Sequence, residues 1–215
     1  MVIVITDSDV YSYVGRRYYY SSRCGHSQGG LIALDLASNN NNIAGVILLA
    51  TTGRPIDKVL QDQIIQQAKD LDLSNKSLNQ SLKDHKTLFH YIRNNSNWTS
   101  KTVPPKVYAL RHLRKWYVEL LSKDPLLLIT TLKCPVLIIQ GDKDIQVSVD
   151  DANLLFSAAR KNNINSELLI LHNYDHLFKR IGKQNGISAY FDRRRRIATT
   201  LIKYIQDWIN KIQDS

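Results

Sequence analysis

Gly25-His26-Ser27-Gln28-Gly29-Gly30 is the stretch on which the reading of this chain turns. It holds the spacing G-x-S-x-G, which suits a sharp turn from a strand into a helix. Such a turn exposes the serine, and small flanking residues such as Gly25 and Gly29 let the two elements approach closely. Leu31-Ile32-Ala33-Leu34 continues as a helix, so its first amides, beginning with the Gln28 N–H, point toward a developing oxyanion. A glycine-rich turn with a solvated serine has the same local sequence. The segments downstream separate the two readings.

Three short apolar runs, Ile43 to Ala50, Pro135 to Gln140 and Glu167 to Leu171, have the composition of buried parallel strands. Helical patterns lie at Gly29 to Leu36, at Val149 to Lys161 and in a terminal stripe of Ile197, Leu201, Ile205, Trp208 and Ile212. The alternation predicts an α/β fold with a mainly parallel sheet. From Ile56 to Thr131 it gives way to four helix-like pieces. Their apolar faces are Ile56, Leu60, Ile64, Ala68 and Leu71; then Leu78, Leu82, Phe89 and Ile92; then Val107, Leu110, Leu113, Tyr117 and Leu120. Asp124-Pro125 opens the fourth with an N-cap and a proline at the first helical position. The polar run Arg93 to Lys101 and Pro104-Pro105 are expected loops. The expected organisation is a core of residues 1–55 and 132–215 with an all-helical cap insertion at 56–131.

The last two strands each lead into a loop carrying reactive groups, at the carboxyl edge where α/β sheets place their chemistry. Gly141-Asp142-Lys143-Asp144 follows one, and His172-Asn173-Tyr174-Asp175-His176 follows the other. With Ser27 this gives the chain order Ser, Asp, His, one of the known orders of a nucleophilic triad. Ser27 attacks only when a neutral imidazole takes its proton, a role that falls to His176. A carboxylate must fix the tautomer of that imidazole, a role that falls to Asp144. His26 is expected to pack beside the elbow, and His172 to be structural at its strand end. Asp142 and Asp175 are expected to be solvated or loop-capping carboxylates. The His172/His176 spacing suits a metal pair only on a helix, and no third ligand suggests itself, so no metal site is expected.

Composition narrows the class little. The 215 residues carry 29 Lys+Arg against 19 Asp+Glu, a net charge of +10. The basic residues are dispersed except at Arg193 to Arg196, which reads as a solvated face opening the last helix. A nucleic-acid surface is the alternative, and no nucleic-acid motif accompanies it. No run approaches the ~18 apolar residues of a membrane span. Met1 to Ile5 is too short for a secretory core, so the cytoplasm is the expected compartment. Cys24 and Cys134 form no C-x-x-C pair, and Asn97-Trp98-Thr99 is treated as a chance glycosylation triplet.

From about Cys24 onward the chain resembles the bacterial carboxylesterases of the α/β-hydrolase superfamily that carry a helical cap, and related serine aminopeptidase-like members. The likeness rests on GHSQGG, LLATTGRPIDKVLQDQI, PVLIIQGDKDIQV and NYDHLFK. It implies hydrolysis of small carboxylic esters through an acyl-serine, with Ser27, Asp144 and His176 as triad and no cofactor. Arg54, in Gly53-Arg54-Pro55, is expected to anchor the cap, line the pocket or make a structural salt bridge.

Such proteins place four strands and two helices ahead of the elbow, where this chain has only the residues before Gly25. Val10 to Arg23 lacks the apolar run of a buried strand. The expectation is therefore an N-terminally truncated hydrolase core, short of the loop that supplies the second oxyanion donor. Its elbow strand would be unpaired on one side, an edge open to self-association. A non-catalytic remnant is the alternative to an active esterase.

Overall fold

The computed structural model describes residues 4–6, 21–94, 97–182, 186–192 and 194–213. Residues 10–20 of the tyrosine- and arginine-rich stretch, residues 95 and 96 of the polar run, and Arg193 lie outside them. The chain divides into two compact units, Met1–Arg54 with Pro125–Ser215, and Pro55–Asp124.

Among the described residues the first unit is built on a five-stranded sheet in the order β1-β2-β3-β4-β5: Val4–Thr6, Ser21–His26, Ile43–Leu49, Val136–Gly141 and Ser166–Leu171. β2 to β5 run parallel, and β1 lies antiparallel to β2, pairing Val4 with Gly25 and Thr6 with Arg23. The elbow strand is therefore paired on both sides, contrary to expectation, and the reason for expecting self-association there falls away. β4 is buried along its whole length, whereas β5, at the edge, is half-exposed between its ends. β2 was not legible as a strand because it is mostly half-buried and so tolerates Ser22 and Arg23.

Period-2 alternation divides the core between the two faces of the sheet. Val46, Leu48, Val136 and Ile138 face α1 (Gln28–Ser38) and α7 (Val149–Lys161), packing on Leu34, Ala152 and Leu155. Ile47, Leu137 and Ile139 face the opposite way, toward Leu201 and Trp208 of α8 (Thr199–Gln213). Ile197, expected on the α8 stripe, lies before the helix, is exposed, and bridges to Lys179. A side chain at Gly45 would collide with Trp208 and Ile212, so α8 lies directly on the backbone of β3.

Among the described residues the second unit has helices and no strand. α2 (Ile56–Asp70) and α3 (Asn75–Asn94) follow the first two apolar faces. The expected third helix is instead α4 (Pro105–Ala109), a 3₁₀ turn at Arg111–Leu113, and α5 (Arg114–Leu121). Leu110 N–H and Leu113 N–H bond three residues back, which tightens the turn and breaks the α-helical run. Asp57 anchors this unit: Arg93 Nη2 reaches its carboxylate at 2.6 Å and His85 Nε2 donates to its carbonyl at 3.0 Å. Leu60, Ile64, Leu88, Phe89, Val107 and Tyr117 help line a cavity of about 590 Å³ within the unit. The fourth piece, α6 (Pro125–Thr130), packs with α1 and α7 of the first unit, because Ile129 and Leu132 belong to its core. The expected boundary at residue 131 thus moves back to 124.

Trp208 is 3% exposed. Trp208→Ala is expected to cost about 3–5 kcal/mol in urea unfolding, the range for emptying a large aromatic site in a core.

Candidate active site

β2 delivers the serine and α1 carries the chain away from it. Ser27 takes φ 56° and ψ −121°, a conformation costly for a residue with a Cβ, and is held there at both ends. Its N–H donates to Leu49 O at 2.8 Å, and its carbonyl accepts from Gly30 N–H at 3.0 Å. A Cβ on Gly25 would collide with the Gly29 carbonyl, and one on Gly30 with the Thr51 side chain. Only glycine fits either place, so the strand-to-helix approach rests on those residues. The Gln28 N–H opens α1 beside the serine.

The acid loop leaves β4 and is closed by the carboxylate it carries. Asp144 Oδ1 accepts Gln146 N–H at 2.7 Å and Val147 N–H at 3.0 Å. Oδ2 accepts Gln140 Nε2 at 2.9 Å and His176 Nδ1 at 2.7 Å. The Asp144 side chain is fully buried and that of His176 nearly so. A carboxylate accepts only, so Nδ1 carries the proton and Nε2 presents a lone pair. That is the tautomer a general base requires. The structure therefore brings Asp144 and His176 together. Among the described residues it does not join the Ser27 hydroxyl to the His176 imidazole by a hydrogen bond.

Gln140 was missed in the sequence, although a polar residue ending the apolar run PVLIIQ is a visible signal. It is fully buried, and its Nε2 also reaches Val147 O at 3.0 Å, so one amide holds the acid and the far end of its loop. His26 was expected merely to pack by the elbow. Its Nε2 instead lies 2.7 Å from the His176 carbonyl, and the two rings are 4.7 Å apart between centroids. Burial lowers its pKa below the ordinary histidine value, only partly opposed by the bond to His176 O.

Asp175 was expected to cap the loop or be solvated, and it is 1% exposed. Oδ1 accepts Leu177 N–H at 3.0 Å and Lys179 N–H at 2.9 Å, and Oδ2 accepts Arg195 Nη2 at 2.6 Å. Arg195 also donates to the carbonyls of Lys179, Arg180 and Ala189. The arginine cluster is thus not simply a solvated face. It precedes α8, and Arg195 clamps the loop that presents His176. His172 is largely exposed and lies 3.3 Å from Asp142 Oδ2, while Asp142 Oδ1 accepts Asn173 N–H at 2.6 Å.

Arg54 is held by Asp151 through Nε–Oδ1 at 3.0 Å and Nη2–Oδ2 at 2.8 Å. The same carboxylate accepts Gly53 N–H and Thr52 Oγ1, and closes a capping box with Ser148 at the start of α7. Burial alone would raise the Asp151 pKa, but Arg54 and Ser148 outweigh it and hold it below the ordinary 3.8.

Residues 22–178 match the family described as serine aminopeptidase, S33 (Hydrolase_4). The chain belongs to this family, and its sheet and helices form part of an α/β-hydrolase fold. It is 22% identical over 188 residues to the esterase EstD of Thermotoga maritima, spanning 87% of this chain and 42% of that protein. It therefore spans less than half the length of this curated relative. Among solved structures it is similar to the Pyrococcus furiosus esterase Pf2001, with 17% identity, 71% and 44% of the two chains covered, and a TM-score of 0.40. A puromycin-hydrolyzing peptidase of Mycobacterium tuberculosis is similar at 16% identity, with 71% and 18% covered and a TM-score of 0.38. Among the described residues no helix is long and apolar enough to cross a membrane.

Arg195→Met is expected to destabilise the chain by about 3–5 kcal/mol in urea, because it leaves the Asp175 carboxylate buried without its cation. Adding Asp175→Asn should recover part of that loss. For Arg54 and Asp151 the sign follows from the lowered carboxyl pKa. Their contribution is complete above 3.8 and is lost as pH falls through the lower folded-state value. The gap in urea midpoint between the parent and Arg54→Ala should accordingly be wide at neutral pH and narrow in acid.

Proposed function

We propose that the chain is a serine-dependent hydrolase of carboxylic esters acting through an acyl-serine intermediate. The observation that carries this reading is the buried 2.7 Å contact of His176 Nδ1 with Asp144 Oδ2, at the ends of neighbouring strands in a chain whose serine occupies a strained elbow. Ser27 Oγ attacks the ester carbonyl while His176 Nε2 takes its proton. The proton then passes to the departing alkoxide, which leaves as the alcohol. Water, deprotonated by the same nitrogen, hydrolyses the acyl-serine and restores Ser27. Asp144 keeps the imidazole in the required tautomer and stabilises its cation. The Gln28 N–H serves as one oxyanion donor. Where that donor acts without a second, turnover is expected to be lower by about 10²–10³.

The matched family and the esterase EstD support hydrolase chemistry at this site, and the ester as substrate is our reading. The test is release of nitrophenol from a short-chain nitrophenyl ester. Hydrolysis lost in Ser27→Ala, with an acyl adduct on Ser27 seen by mass spectrometry in the parent, is the expected result. Equal rates in the two proteins overturn the reading and leave a non-catalytic chain.

A further inference from the structure

The most informative contact outside the proposed triad joins two segments 150 residues apart: His26 Nε2 lies 2.7 Å from the His176 backbone carbonyl. A carbonyl can only accept, so Nε2 carries the hydrogen, and in the neutral ring Nδ1 is bare. His26 is the residue before Ser27, at the end of β2, with its partner in the sheet at Leu49. This bond therefore ties the elbow that carries the nucleophile to the loop that carries the base. The side chain of Asp144 holds the imidazole of His176, and that of His26 holds its backbone.

The rings of His26 and His176 are tilted at 51°, with centroids 4.7 Å apart, and the Phe178 ring stands edge-on to His26 with its centroid at 6.1 Å. Among the described residues, the titratable or charged groups that act on His26 are His176 and Asp144. Two imidazoles at this spacing compete for one positive charge, since a second cation is repelled in a partly buried site. Acyl transfer on the proposed route needs that charge on His176. Protonated His26 would keep its bond to the carbonyl and still oppose the step.

We propose that His26 is a positioning residue with two duties: its Nε2–H sets the distance between Ser27 and His176, and its neutral state reserves the positive charge for His176. The proposal rests on the hydrolase reading above and deepens it. Burial, which lowers the pKa of His26, acts in the same direction by keeping the ring neutral at physiological pH.

The test compares His26→Gln, which keeps an N–H donor and cannot titrate, with His26→Phe, which keeps a ring and has no donor. Nitrophenyl ester hydrolysis is followed against pH, with urea unfolding of each variant as a check on folding. Where His26→Phe does not fold, His26→Asn takes its place as the variant with a shorter reach. The expected result is kcat near the parent value in His26→Gln at pH 8, and a loss of about 10²-fold in His26→Phe with KM little changed, as a misplaced base produces. The acidic limb of the parent should steepen toward two protons, and that of His26→Gln should remain a one-proton limb. In parallel, the imidazole nitrogens are titrated by NMR, which requires no turnover. Biphasic, mutually dependent shifts of the two rings are expected in the parent, and a simple one-proton curve for His176 in His26→Gln. Equal kcat in the Gln and Phe variants, an unchanged limb, or independent titration of the rings overturns the proposal. Absence of any Ser27-dependent hydrolysis in the parent overturns the hydrolase reading instead, and the NMR titration then decides the coupling.

Discussion

The parallel pairing of β4 with β5, in register from Val136 opposite Ser166 to Gly141 opposite Leu171, fixes where Asp144 and His176 can stand. Two neighbouring parallel strands that end at the same level release their loops side by side, and the loops must then fit into one space. They do so because Gly141 has no Cβ, which would otherwise collide with the carbonyl of Tyr174. The close approach lets Asp142 N–H reach Leu171 O at 3.1 Å and Lys143 N–H reach Tyr174 O at 3.0 Å. The two loops are joined by backbone before any side chain contributes. Asp144 and His176 meet within a frame that is already closed.

Around that frame, charge is used where burial makes it decisive. Asp144 is fully buried and has four donors; Asp175 is nearly as buried and has two amides and a guanidinium. A buried carboxylate that lacks such partners is expensive, so each set of donors specifies one loop conformation. Exposed pairs such as Lys106 with Asp84 have little weight by comparison.

What was legible in the sequence follows from range. β3, β4, β5, α1 and α7 announced themselves because apolar periodicity is local and these elements are buried in a regular way. β1 was too short to carry a period. The loops of the proposed site were legible as loops from chain order, since Ser27, Asp144 and His176 each follow a strand. The supporting contacts were not. Gln140 shows only as a polar residue in the wrong place, and Arg195 as one arginine among four, because what defines them is a partner brought close by the fold. His26 was read by its neighbour in the chain, whereas its bonding partner lies 150 residues away.

That separation bears on the order in which the site can come together. The acid and the histidine are 32 residues apart, joined through one helix and one strand, α7 and β5, so their hydrogen bond closes a short loop. The His26 contact closes a loop nearly five times as long and requires the sheet to be assembled from β2 to β5. The longer closure carries the larger entropic cost. A folding chain can thus hold a finished acid–histidine pair while its serine is still apart. On the proposed chemistry, reactivity would then appear only with the last long-range closure, which would make acylation of Ser27 a reporter of completed folding.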